Sequence, residues 1–204
     1  MTALRLDDLG QHSDNLRLPG GQRVTVRFVA PRDAEALQGY FRSLSIGSRY
    51  NRLFGAASEL PHNVLTDFVH VGEHERFTVI ATMTIGGFEQ IVAEARYAFN
   101  ADNGSIEFGL SVADRWQGFG IGSALMRNLE CRAAALGATR LFGDTLRSNA
   151  TMMRLARKSG FSFLPHPGDW KLVRFEKHID AEPRGIPCAS WRLAAASLAH
   201  PVTA

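Results

Sequence analysis

Gln117-Gly118-Phe119-Gly120-Ile121-Gly122 is the stretch of this chain whose residue types and spacing carry the clearest chemical consequence. It leads directly into a run in which Ile121, Leu125, Leu129, Ala133 and Leu136 mark one helical face, with Gly137 where a C-terminal cap belongs. A helix start offers backbone N–H groups without intrahelical partners and the positive end of the helix dipole, so it attracts phosphate oxygens. Glycine lets an anion come close, and between Asp114 and Glu130 no acidic residue repels it. Alternating glycines also make a plain turn that permits close helix packing. The direct join from strand to amphipathic helix favours the phosphate reading. No Gly-Lys-Ser/Thr follows, which argues against a P-loop. A dinucleotide fold needs its glycine loop in an early strand–helix–strand unit, whereas here several β-rich segments come first.

The second chemical candidate is Glu107. Along Ser105 to Val112, Ile106, Phe108, Leu110 and Val112 share one face of a strand and leave Glu107, Gly109 and Ser111 on the other. The small neighbours leave room for a substrate beside the carboxylate. An amine of pKa ~10.4 is free base in only roughly one molecule in 2,500 at pH 7, so its attack on an acyl group benefits from a placed proton acceptor. The competing reading of Glu107 is a solvated strand residue. Arg49, Tyr50 and Arg52 rank second, as a surface facing an acceptor or as packing and solvation at a helix end. Trp116 reads as a packing anchor. His70 and His74 are four apart, but Gly72 between them and the lack of a nearby third ligand argue against a metal site. Cys131 and Cys188, the two cysteines, give no disulfide framework and read as reduced structural thiols.

These groups must be positioned by an α+β arrangement. Arg23 to Val29 alternates as a half-buried strand; Pro31 opens a helix carrying Leu37, Tyr40, Phe41 and Leu44; a second helix covers about Asn63 to Val71. Phe77 to Ile85 and Gln90 to Phe99 form a hairpin across Gly86-Gly87, and Ser105 to Val112 completes an antiparallel meander. The helix from Ile121, a strand over Thr139 to Leu146, a helix over Asn149 to Ser159, extended Phe161 to Phe163 and a strand over Trp170 to Glu176 follow. The expected division is an N-terminal leader (1–22), one domain (23–178) and a C-terminal tail (179–204) with room for a short Ala-rich helix.

At 204 residues and 45% hydrophobic content the chain can bury a full core. A net charge of +3, with no long Lys/Arg run, falls short of a nucleic-acid signature. No segment reaches the ~18 apolar residues of a membrane span, and the first residues do not form a signal peptide. A cytoplasmic monomer or homodimer is expected.

The stretch Val112-Ala113-Asp114-Arg115-Trp116-Gln117-Gly118-Phe119-Gly120-Ile121-Gly122-Ser123-Ala124 resembles the Gln/Arg-x-x-Gly-x-Gly/Ala signature of the GNAT N-acetyltransferases. Asn149, with Met152, Met153, Leu155 and the closing Lys158-Ser159-Gly160-Phe161, is similar to that family's asparagine helix. Leu44-Ser45-Ile46-Gly47-Ser48-Arg49-Tyr50-Asn51-Arg52-Leu53-Phe54 looks like a Leu-Ser-x-x-Ser-x-Tyr-x-Arg-Phe segment of bacterial protein-lysine acetyltransferase domains, and Ile106-Glu107-Phe108 like their Ala-Glu-Phe strand. The resemblance implies the GNAT fold, a mixed, mostly antiparallel sheet with helices on both faces. It implies acetyl-CoA as co-substrate, an amine acceptor that is a protein lysine or a small molecule, and direct attack in a ternary complex. Gln117, Gly118, Phe119, Gly120, Ile121 and Gly122 would hold the pyrophosphate, Leu110 and Val112 would pair with the pantetheine arm, Asn149 would contact CoA, and Glu107 would be the base. The family's usual acid, a tyrosine four residues before the closing Gly-Phe, is Ala156 here. That departure also motivates a non-catalytic CoA-binding sensor as the alternative.

Overall fold

The computed structural model describes residues 13–72, 75–179 and Cys188. Eight strands form one sheet in the order β1-β2-β3-β4-β5-β6-β8-β7: β1 Ser13–Arg17, β2 Arg23–Phe28, β3 Arg76–Ile85, β4 Phe88–Asn100, β5 Ser105–Val112, β6 Arg140–Leu146, β7 Ser162–Pro165 and β8 Leu172–His178. All neighbours pair antiparallel except β5 and β6. The helices are α1 Ala34–Ser43, α2 Ile46–Leu53, α3 His62–Val69, α4 Ile121–Ala135 and α5 Ala150–Lys158.

The alternating strands divide the core between two faces. Val24, Val26, Phe28, Val79, Ala93, Ala95, Ile106 and Phe108 pack with α4 residues Ile121, Leu125 and Leu129. On the other face Leu37 and Phe41 of α1, Leu44 just after it and Phe68 of α3 cluster with Ile80 and Ala113. The hairpin turn at Gly86-Gly87 has positive φ at both residues, as the dipeptide predicts.

Three features depart from the sequence expectations. Within the expected leader, Ser13–Arg17 is a strand paired to β2, with Asp14 and Leu16 buried and Ser13, Asn15 and Arg17 exposed. Its polar composition hid it, because Asp14 is buried only by virtue of Asn128 and Arg132 of α4, whose side-chain nitrogens lie 2.8 and 3.1 Å from its Oδ2. The helix α2 was not anticipated between the two expected early helices. It is amphipathic but polar on average and buries no residue, so it does not stand out as a core-facing helix. Cys131 and Cys188, expected as reduced thiols, are paired as a disulfide with Cα atoms 6.0 Å apart. Spacing of 57 residues gives no hint of that pairing. The Ala-rich helix considered for the tail lies outside the described residues.

Candidate active site

The parallel pairing of β5 with β6 covers only Ser105, Ile106 and Glu107 against Arg140, Leu141 and Phe142. Beyond that point β6 no longer pairs with β5, so the β5 backbone from Phe108 to Val112 keeps one edge unpaired by a strand, while its other edge pairs with β4 up to Val112. A splayed pair of strands opens a cleft in an otherwise continuous sheet, and here two cavities occupy it.

The first, about 480 Å3, is lined by Leu110, Ser111 and Val112 of β5, by Gln117, Gly118, Gly120, Gly122 and Ser123, and by Asn149, Met152, Leu155 and Lys158 on the α5 side. The side of α2 that carries Ser48, Asn51 and Arg52 closes it. No carboxylate belongs to this lining, whereas Arg52 and Lys158 do. Gly118 and Gly120 have φ of 84° and 89°, a left-handed backbone that costs an L side chain about 1–2 kcal/mol. The turn they make delivers the chain into α4, a helix of 15 residues whose first residues adjoin this cavity. A Cβ at Gly118 would meet nothing within 4 Å, while one at Gly120 would lie 3.1 Å from Pro19 Cδ in the β1–β2 turn. The N-terminal hairpin thus buttresses the loop. Gln117 donates from Nε2 to the Val112 carbonyl at 3.1 Å, and Asn149 caps α5 by accepting from Met152 N at 3.1 Å.

The second cavity, about 850 Å3, lies on the α2–α3 side of β5 and is lined by Glu107, Gly109, Arg76, Arg96, Asp144 and His166, with an apolar wall that includes Phe54, Val64 and Phe68. The two share Asn51, Arg52, Leu110, Asn149 and Met152. Glu107 is exposed, and its carboxylate makes no hydrogen bond or ion pair among the described residues. Asp144 is held by Arg174 through Nε at 2.9 Å and Nη2 at 2.8 Å, and this hydrogen-bonded pairing raises the Arg174 pKa. His166 Nδ1 accepts from Gly168 N at 3.1 Å and Asp169 N at 2.9 Å, so its proton sits on Nε2, 3.4 Å from Asp144 Oδ2.

A buried polar chain stands at the shared wall. Glu94, 0% exposed, accepts from Arg52 Nε at 2.7 Å and Nη2 at 3.0 Å, and from Ser111 Oγ at 2.6 Å. Because the single Ser111 proton goes to Glu94, the Tyr40 hydroxyl, 2.9 Å away, is the donor to Ser111. Burial and then the Glu94 charge push the Tyr40 phenol well above its ordinary pKa, so it keeps its proton. Burial disfavours the charged Arg52, but Glu94 outweighs it and raises the Arg52 pKa. The guanidinium lies against Gly109, where a Cβ would come 3.0 Å from Arg52 Nη1.

A second joint ties α2 to the segment that leads into the glycine loop. Asp114 accepts from Ser45 N at 2.8 Å, Ser45 Oγ at 2.8 Å and Ser48 Oγ at 2.7 Å, while Ser45 caps α2 by accepting from Ser48 N at 3.2 Å. Burial opposes ionisation of Asp114, yet those donors prevail and hold its carboxyl below the usual range.

Of the sequence-expected site residues, Leu110, Val112, Gln117, Gly118, Gly120, Gly122 and Asn149 line the first cavity and Glu107 the second. The Ile121 side chain is in the core at 2% exposure, and Phe119 stacks edge-on to Trp116 with ring centroids 5.7 Å apart, so neither side chain belongs to the lining. Arg49 holds the backbone of the α1–α2 corner through the Ala57, Arg42 and Leu44 carbonyls, and Tyr50 is half exposed. Sequence reasoning missed Glu94, Ser111, Tyr40 and Asp114. The available signal was Glu94 itself, a charge amid Ile91-Val92-Ala93 and Ala95 that must find a partner if the strand is buried. His70 Nδ1 donates to the Thr66 carbonyl at 2.7 Å, and His74 lies outside the described residues.

Residues 41–161 match the Acetyltransferase (GNAT) family. The chain is 26% identical over 152 residues to Acetyltransferase PA5475 of Pseudomonas aeruginosa, covering 74% of this chain and 82% of that one. The GNAT domain of S. lividans PAT superposes with a TM-score of 0.74 at 26% identity, over 82% of this chain and 97% of that one. The cAMP-binding acyltransferase from Mycobacterium smegmatis shares the fold at a TM-score of 0.59 and 22% identity, over 95% of this chain and 58% of that one. With its cleft between β5 and β6, its glycine turn into α4 and a family match that spans β3 to β6 together with α2, α4 and α5, the chain belongs to the GNAT acetyltransferase family.

Proposed function

We propose that this protein transfers the acetyl group of acetyl-CoA to a primary amine by direct attack in a ternary complex, with Glu107 as the proton acceptor. The observation that carries the reading is the pair of joined cavities. One has a carboxylate-free lining at a helix start, suited to a pyrophosphate, and the other contains an unpaired carboxylate, with Leu110 and Asn149 common to both. In the first, the Gln117–Gly122 turn and the start of α4 would hold the pyrophosphate. The open edge of β5 near Leu110 and Val112 would pair with the pantetheine amides. The thioester would then reach the shared wall, where a β5 backbone N–H can stabilise the developing oxyanion.

The amine nitrogen forms a bond to the thioester carbonyl carbon, its proton passes to Glu107 directly or through water, and the C–S bond breaks to release the CoA thiolate. Ala156 is fully buried and offers no acid, so the thiolate takes its proton from solvent. A thiol of pKa about 8.5 is a good enough leaving group for that. A protein lysine is the acceptor favoured by the resemblance of Leu44–Phe54 and Ile106-Glu107-Phe108 to bacterial protein-lysine acetyltransferase domains. The sensor reading rests on the absent tyrosine, and acceptor-dependent thiol release separates the two.

The test is CoA thiol release from acetyl-CoA across a panel of amines and lysine peptides, with Glu107→Gln alongside. The variant is expected to lose at least about tenfold in kcat while CoA affinity is kept. Unchanged turnover across the pH profile would remove Glu107 from the base role.

A further inference from the structure

The charges around the larger cavity are unevenly satisfied. Arg52 is bound bidentately to Glu94, and Asp144 likewise to Arg174. Three charged side chains of the lining are left without such a partner. Glu107 and Arg76 make no ion pair among the described residues. Arg96 reaches only the exposed Asp67, at 3.8 Å from its Oδ2 and 3.5 Å from its carbonyl, and stacks over the Phe68 ring at 4.6 Å. Burial, together with the like charges of Arg76 and Arg52, lowers the Arg96 pKa, as expected of a cation short of counter-charge.

The sheet register fixes how these groups are arranged. Arg76, Ala98 and Glu107 stand directly opposite one another on β3, β4 and β5, so they share one face of the sheet. Arg96 is on the same face of β4, opposite Gly109 and one step along from Glu107. The strands of Arg76 and Glu107 are therefore two strand spacings apart, about 10 Å, with only the methyl of Ala98 between them on the cavity floor. An acidic group and a basic pair thus face one cavity across a short, shallow gap that they do not close themselves.

We propose that Arg76 and Arg96 form an anion subsite of the acceptor cavity, so that the preferred acceptor is an amine carrying a carboxylate within reach, such as a peptide lysine with Asp or Glu two positions away. The inference rests on the proposed transfer at Glu107 and specifies its substrate class. In an extended peptide, residues two apart project to the same side about 7 Å apart along the chain, which suits a lysine at Glu107 with its acidic neighbour at the arginines. Free lysine, whose own carboxylate is a similar distance from its ε-amine, offers the same chemistry. Two arginines are well suited to a carboxylate because each presents a planar fork of donors. The apolar wall of Phe54, Val64 and Phe68 excludes water from one side of the gap.

The test compares capped lysine peptides with Ala, Glu or Arg two positions from the lysine, and free lysine, as acceptors for the wild type, Arg76→Gln, Arg76→Glu and Arg96→Gln. The Glu peptide is expected to exceed the Ala peptide about two- to fivefold in kcat/KM, mainly through KM, the range of a partly exposed charge contact. That advantage should vanish in Arg76→Gln and turn to favour the Arg peptide in Arg76→Glu, with CoA affinity unchanged. Free lysine above the peptides would identify an amino acid as the source of the carboxylate; the reverse would identify a polypeptide. Equal kcat/KM for all flanking charges, or a preference indifferent to Arg76, overturns the subsite while leaving acetyl transfer standing. Arg76 is on the surface, so its variants keep the test open if Arg96→Gln does not fold. If no acceptor turns over, equilibrium binding of the same peptides to the CoA-loaded protein decides the matter. Arg76-dependent preference for the Glu peptide keeps the subsite and removes the transfer reading, and no preference removes both.

Discussion

Replacing Gly120 separates the two things its position demands, a left-handed backbone and an uncharged surface for phosphate. At φ 89° and with Pro19 Cδ 3.1 Å from the place of a Cβ, Gly120→Ala and Gly120→Asp carry the same push on the β1–β2 turn, and the backbone strain is no larger for the aspartate, so strain does not mimic a charge penalty. That cost, about 1–2 kcal/mol, falls on the loop in both variants. Only the aspartate adds charge. Its carboxylate would stand ~6 Å from a doubly charged pyrophosphate; at an effective dielectric of ~60 the repulsion is about 2 kcal/mol, about thirtyfold in Kd. Isothermal titration of CoA into the wild type and both variants reads the two effects apart. The Ala variant measures geometry, and the ratio of Asp to Ala measures charge. The ratio should shrink severalfold between 0.1 M and 1 M salt, where the Debye length falls from about 10 to about 3 Å. Equal affinities for Ala and Asp at low salt would refute the phosphate reading of the loop, whatever their common loss.

Other consequences follow from the same contacts. Glu94→Ala leaves the Arg52 cation without its bidentate partner in a site where Glu94 is fully buried, so a loss of about 3–5 kcal/mol in chemical denaturation is expected; a loss under about 1 kcal/mol would show that water reaches the guanidinium. Asp114, with its carboxyl pKa depressed in the folded state, contributes stability that is present above its unfolded value near ~3.9 and is lost as pH falls through the lower folded value. Asp114→Asn should therefore reduce stability at neutral pH and flatten the acid limb of the stability curve, and an unchanged acid limb would contradict the assignment. Reduction of Cys131–Cys188 should lower stability by about 2–5 kcal/mol, read as a fall in denaturation midpoint on adding reductant, and thiol titration of the unreduced, unfolded protein should find no free thiol.

What was legible in the sequence is what local periodicity writes. The meander, its Gly86-Gly87 turn and α4 each declare themselves within a dozen residues, and the faces of β5 follow from strict alternation. The strand β1 and helix α2 did not, for opposite reasons. The first hides its burial behind an aspartate whose partners are more than a hundred residues away, and the second is amphipathic but buries nothing. The position of α2 is fixed by polar contacts to other segments: Ser45 and Ser48 to Asp114, Arg52 to Glu94, and Arg49 to backbone carbonyls on either side.

Those contacts explain why residues that look like an ordinary solvated pattern bear on the glycine loop. Asp114 belongs to the segment that enters the loop, and its three donors all come from the first turn of α2, so the lid of the first cavity and the loop beneath it are one hydrogen-bonded unit. Arg52, two turns from Ser45 on the same helix, ties the other end of that lid to β4 through Glu94 and takes the space above Gly109 that any larger residue would need. A side chain at position 109 would displace the guanidinium from Glu94, and a shorter cation at 52 could not keep both carboxylate contacts. The small residue in β5, the acid in β4 and the arginine in α2 are therefore one constraint written at three distant places, and each alone reads as unremarkable.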